Sequence, residues 1–178
     1  WEQFDRGEVQ EELEHIATLG FDTVRFCLRW EVFHPQRDRI GSAAMRALEH
    51  ALDAAQHAKL RVAAVLFPAA LDGSIQVPSW VNRGNIIGEL QRAARVGSLR
   101  VVRPALQPPV IYEHRYHTNY THDLFNDRDM LDAQRYFVRE VAGYFDQHPA
   151  LWAWQIGEGL EYVHRPGSAE AVRDWLAT

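Results

Sequence analysis

The run Arg61 to Phe67, RVAAVLF, restricts the fold more than any other stretch of this chain. It is a near-continuous apolar segment of strand length, and such a strand has to be covered on both faces, as in the parallel sheets of α/β proteins. The sequence around it supplies the covering helices. Glu8 to Leu19 places Val9, Leu13, Ile16 and Leu19 at helical spacing, with Gly20 as the C′ residue. Asp22 to Leu28 (DTVRFCL) alternates, with Val24, Phe26 and Leu28 on one face and Thr23, Arg25 and Cys27 on the other, and reads as a strand. Trp30 to Pro35 reads as a loop stopped by proline. A second helix starts from Ser42 as N-cap and runs to about Ala58, with Met45, Leu48, Leu52 and Ala55 as its stripe.

From Pro68 to Asp127 the spacing is irregular and broken by Pro68, Pro78, Pro104, Pro108 and Pro109, so most of it is expected to be loop, with a short helix around Gly88 to Arg95. A loop insertion at about 82–127 is long for one domain, and loops of that length are usually functional or disordered. Helical spacing returns at Met130 to Phe145, through Leu131, Phe137, Val138, Val141, Tyr144 and Phe145, with Asp127 or Asp129 as N-cap. A strand over 151–156 follows, opening the stretch LWAWQIGEGLE (Leu151 to Glu161), and Ser168 to Leu176 reads as a last helix. Strands alternating with helices imply a parallel α/β arrangement with helices outside. In that class chemistry sits in the loops after strand C-termini, which points to the corner where the apolar strand at 151–156 runs into Glu158 and Glu161.

Composition excludes several alternatives. The 178 residues are 47% hydrophobic and 24% charged, enough for one domain with a core. A net charge of -5 without a basic stripe argues against a nucleic-acid surface. No apolar run approaches the roughly 18 residues of a membrane helix. Cys27 is the single cysteine, so no internal disulfide forms. The chain opens at Trp1-Glu2 without a basic n-region, so a signal peptide is expected to be absent or removed, and the 178 residues are expected to be a piece of something larger.

Three stretches carry a resemblance. Asp22 to Pro35, DTVRFCLRWEVFHP, resembles the second strand and following loop of clan A glycoside hydrolases of the family 5 type. Leu66 to Trp80, LFPAALDGSIQVPSW, is similar to the segment after that group's third strand. Asp123 to Leu160 resembles its next helix and fourth strand, which ends W-D-L-G-N-E-P. The resemblance implies an incomplete (β/α)8 TIM-type barrel: strands two to four, without the first strand or the second half, against about 250 residues for a whole barrel. It also implies a retaining β-glycoside hydrolase acting on β-linked poly- or oligosaccharide, with no cofactor, no metal and a carbohydrate as substrate. Such enzymes use two carboxyl groups about 5 to 5.5 Å apart. The nucleophile would follow the seventh strand, outside these residues, so the 178 residues alone are expected to be inactive.

Residue by residue, Arg25 matches the second-strand Arg that holds the nucleophile charged, Trp30 and Glu31 match the same motif, and Trp80 could offer a stacking face to a sugar ring. The fourth-strand motif departs: Glu158 stands where the family has Asn, and Gly159 where it has the acid/base Glu. Strand alternation turns Glu158 away from the barrel interior unless the backbone bends, which Gly157 and Gly159 permit; Glu158 is then the candidate proton donor. Ala70 and Ile75 replace a His and an Asn. A catalytically degenerate carbohydrate-binding barrel is therefore the alternative function.

Plainer readings exist for most of these residues. Glu158 and Glu161 also fit solvated loop carboxylates, and Trp152 and Trp154 fit strand-to-helix packing. Arg25, inside a strand, needs a partner. His114, His117 and His122 suggest a metal-dependent barrel as a third idea, but their spacing matches no common zinc pattern and reads better as exposed loop. An open part of a barrel also exposes apolar edges, so the isolated 178 residues are expected to associate.

Overall fold

The computed structural model describes residues 1–68, 70–71, 74–81, 110–112, 115–117, 124–125 and 127–159. Helix α1 (Arg6–Thr18) begins two residues before the expected start because Asp5 caps it, its carboxylate accepting the Glu8 N–H at 3.0 Å. Gly20 follows the helix with φ +90°, the left-handed C′ conformation implied by the sequence. Strand β1 (Thr23–Cys27) turns Val24 and Phe26 against the core and Arg25 to the opposite face.

Trp30 to Pro35, expected as loop, contains one helical turn, α2 (Trp30–Phe33). A residue before proline is pushed out of the helical region, and the turn accordingly stops at His34, with φ -130° and ψ 62°. Helix α3 (Ser42–His57) corrects a second expectation: Ser42 is its first helical residue and Gly41 is the N-cap, without a side-chain bond. The reason is steric. The Gly41 N–H donates to the Phe33 carbonyl at 2.8 Å, and a Cβ at this position would lie 2.7 Å from the Val32 oxygen.

The buried stripe of α3 is Ala44, Ala47, Leu48, Ala51, Leu52 and Ala55, so alanines carry much of the close approach that the helical spacing assigned to Met45. The helix closes in a Schellman arrangement, the Leu60 N–H donating to Ala55 at 2.8 Å and the Lys59 N–H to Gln56 at 3.0 Å, with Lys59 left-handed at φ +59°. This closure turns Leu60 into the core and starts β2 (Arg61–Pro68). Val62, Ala64, Val65, Leu66 and Phe67 are all buried, as the apolar run required.

The region expected to be mostly loop carries a second sheet of very short strands: β3 (Ala70–Leu71), β4 (Ser74–Gln76), β5 (Val110–Tyr112) and β6 (Arg115–His117). The outer pairs are antiparallel and β4 runs parallel to β5. Strands of this length offer too few positions for a periodicity signal. The helix expected around Gly88 to Arg95 and the helix expected from Ser168 lie outside the described residues, as do His114, His122 and Glu161.

Helix α4 (Arg128–Phe145) is capped by Asp127, which accepts the Asp129 N–H at 3.0 Å. Met130, Ala133, Phe137, Val141 and Phe145 form its buried face, whereas Tyr144, expected on that face, points to solvent. Gln134 is buried too, and its amide donates to the Leu124 carbonyl at 2.8 Å. Strand β7 (Leu151–Glu158) runs two residues beyond the expected end.

The main sheet is wholly parallel, in the order β1-β2-β7. Asp22 and Leu28 turn their main-chain groups toward β2, accepting from the Arg61 N–H and donating to the Val65 carbonyl, both at 2.9 Å. Thr23, Arg25 and Cys27 therefore aim theirs at the edge that carries no strand among the described residues. Trp1 covers the last of these, its indole N–H donating to the Cys27 carbonyl at 2.7 Å while its ring packs edge-on to Phe26 and Phe33.

Candidate functional site

All three strands of the main sheet end at the same side, and the polar groups gather there. Arg25 lies on β1 and Glu158 ends β7, with β2 between them. Strands about 4.8 Å apart would separate the outer two by about 10 Å in a flat sheet. Here an Arg25 guanidinium nitrogen donates to Glu158 Oε1 at 3.2 Å, and the short Cys27 thiol donates to Oε2 at 3.9 Å. Both contacts reach across β2 and place the Glu158 carboxylate beside Arg25 and Cys27. Glu158, turned away from their face by strict strand alternation, reaches it from the terminal position of the strand. Gly159 follows with φ +67°, a left-handed conformation that bends the chain there. Gln155 lies within reach of the same bend, its side-chain amide donating to the Gly157 carbonyl at 3.0 Å.

The pair is open to solvent, with side chains 51% exposed for Arg25 and 32% for Glu158. Cys27 is half-buried, and its thiol is pushed up from the ordinary value by desolvation and then by the Glu158 carboxylate, opposed in part by Arg25. It is accordingly a protonated donor at neutral pH.

A second cluster follows β1. Arg29 reaches Glu31 Oε1 through its Nε at 2.7 Å and Glu2 at 3.5 Å, while Glu31 Oε2 is buried without a hydrogen-bond partner among the described residues. Trp30 is 3% exposed, edge-on to Phe67 and Trp80, so its place is behind Trp80 and not at an open surface. Trp80 is half-buried, and its indole N–H donates to the His34 carbonyl at 2.8 Å. His34 is fully buried and ties this cluster together. Its Nδ1 accepts the Trp30 indole N–H at 3.2 Å, which leaves Nε2 as the donor to the Arg37 carbonyl at 3.0 Å. Its ring stacks on Phe137 and lies against Trp80. Burial holds the imidazole below its ordinary pKa, so the neutral form is the native one.

The structure thus brings Arg25 and Glu158 together and places Trp30, Glu31 and Trp80 around the chain that leaves β1 and β2. It adds Cys27, Arg29 and His34, which sequence reasoning did not select. Alternation did put Cys27 on the Arg25 face, and His34-Pro35 marked a helix stop; neither signal spoke of a partner 131 residues away. Ala70 and Ile75 face each other as main-chain partners in the β3–β4 ladder. Of the three loop histidines only the backbone of His117 is described. No group of three or more His, Cys, Asp or Glu side chains forms a metal cage among the described residues.

No protein-family model matches the chain, and no curated protein does. Solved structures match its fold. The chain is similar to a GH5_18 protein from Streptomyces cattleya solved in complex with Manβ1-4GlcNAc, with a TM-score of 0.72, 23% identity and coverage of 99% of this chain and 36% of that one. It is similar to the exo-beta-1,4-mannosidase Op5Man5 of Opitutaceae bacterium strain TAV5, with a TM-score of 0.69, 22% identity and coverage of 98% and 25%. It is also similar to the endoglucanase Cel5A of Pseudomonas stutzeri, with a TM-score of 0.51, 18% identity and coverage of 94% and 38%. The fold is therefore that of part of a TIM barrel, as in these glycoside hydrolase structures. The chain spans about a third of the length of the first of these structures.

Proposed function

We propose that this chain forms part of a retaining β-glycoside hydrolase acting on β-linked poly- or oligosaccharide, its β1, β2 and β7 serving as the second to fourth barrel strands. The observation that carries the reading is the contact between Arg25 and Glu158, which brings an arginine to a carboxylate at the C-terminal end of β7. That is where (β/α)8 proteins do their chemistry. In this reading Glu158 is the proton donor, Arg25 organises the site for a nucleophile carboxylate lying beyond these residues, and Glu31 and Trp80, with Trp30 behind, border the sugar.

In the intact protein one arginine would serve both acids, contacting Glu158 as it does here and facing the second carboxylate. Glu158→Gln in the intact protein, measured on an aryl β-glycoside, should lower turnover by about 10²-fold to 10⁴-fold. Undiminished turnover would remove the role.

A second reading is a barrel that binds carbohydrate without cleaving it. Gly159, at the position the resemblance gives to the acid/base, favours it, and its left-handed backbone is one that a glutamate rarely adopts. Manβ1-4GlcNAc or a cello-oligosaccharide bound without turnover would select this reading. Hydrolysis would exclude it.

A further inference from the structure

We propose that Cys27 is a positioning residue for the Glu158 carboxylate, its thiol holding Oε2 while Arg25 holds Oε1. This rests on the reading of Glu158 as the carboxylate of the site. A glutamate at the end of a strand has free torsions, and one contact fixes the distance of its carboxylate but not the rotation. Two contacts on two different oxygens fix both. In this structure Oε1 receives the guanidinium at 3.2 Å and Oε2 faces the thiol at 3.9 Å, both from β1. The two donors sit two residues apart on one face of that strand, so they approach the carboxylate together. A sulfur–oxygen distance near 4 Å suits a weak donor: it orients the acid without competing strongly with a sugar hydroxyl or with Arg25.

Charge around the thiol supports the same arrangement. Glu158 and burial keep Cys27 protonated, and Arg25 acts in the opposite sense. The thiol therefore reports on its neighbours, and as the single cysteine it can be followed alone.

The experiment has two arms, alkylation on these 178 residues and turnover on the intact protein that carries the whole barrel. In the first, iodoacetamide alkylation of Cys27 is timed by mass spectrometry near pH 8. Glu158→Gln should speed it and Arg25→Gln should slow it, since attack proceeds through the thiolate. Unchanged rates in both variants would overturn the proposal. In the second, Cys27→Ala should lower kcat on an aryl β-glycoside by about threefold to tenfold with KM unchanged, and Cys27→Ser, which keeps a donor, should restore it. An alanine variant as active as the parent would overturn it as well. If Glu158→Gln leaves hydrolysis intact, the reading of Glu158 as the proton donor fails, and the alkylation arm still decides whether Cys27 addresses Glu158.

Discussion

Arg25 and Glu158, 133 residues apart in the chain, meet at 3.2 Å across a sheet in which β2 separates their strands. The contact is tertiary: neither residue is near the other in sequence or in the ladder.

Because the pair is largely exposed, it contributes little to folding, about 0 to 1 kcal/mol. Arg25→Gln should therefore leave the thermal unfolding midpoint nearly unchanged while lowering turnover about 10²-fold or more. Calorimetry with a parallel hydrolysis assay checks this, and a large loss of stability would show that the pair is structural.

His34 makes stability depend on pH. Its folded pKa is depressed by burial, so the unfolded chain binds the proton more readily. The contribution is complete above the unfolded value of about 6.5 and is lost as pH falls below it, toward the folded pKa. Urea unfolding at pH 7.5 and pH 5 should show the drop, and His34→Asn should flatten the slope while destabilising the protein by about 1 to 3 kcal/mol, since Trp30 or Arg37 loses its partner.

Two glycines should respond in opposite directions. Gly41→Ala drives a methyl against the Val32 oxygen and should cost about 1 to 3 kcal/mol. Gly143, inside α4, leaves open space within 4 Å of where a methyl would sit, and Gly143→Ala should stabilise by about 0.5 to 1 kcal/mol. Equal effects in denaturant titrations would contradict the packing described around Gly41.

Trp152 and Ile156 on β7 are 62% and 46% exposed, and β1 presents the main-chain groups of Thr23 and Arg25 at an edge without a strand partner among the described residues, with a groove of about 440 Å³ lined by Trp1, Phe4, Ile16, Val24 and Phe26. The isolated 178 residues should associate with rising concentration in sedimentation velocity, and Ile156→Lys should weaken that association. A monomer at all concentrations would show that these surfaces are not adhesive.

Much of the architecture was legible in residue order. RVAAVLF demanded a covered strand, Gly20 a left-handed helix stop, and Val24, Phe26 and Leu28 an inward face, because each follows from local sterics or from the need to bury apolar surface. The misses share another cause. Gly41 displaced Ser42 as N-cap because α2 passes within contact of it, and Lys59 adopts φ +59° because Leu60 is drawn into the core.

The sequence by itself determined which segments are helix and strand in the main layer, that its strands run parallel, and that an arginine sits on the face opposite Val24 and Phe26. Only the tertiary structure decided what that arginine meets. Strand alternation turned Glu158 away from Arg25 unless the chain bends, and in the folded sheet its carboxylate meets Arg25 and Cys27 where Gly159 takes a left-handed conformation. That meeting depends on three strands packed side by side in one order, and no single stretch of residues encodes it.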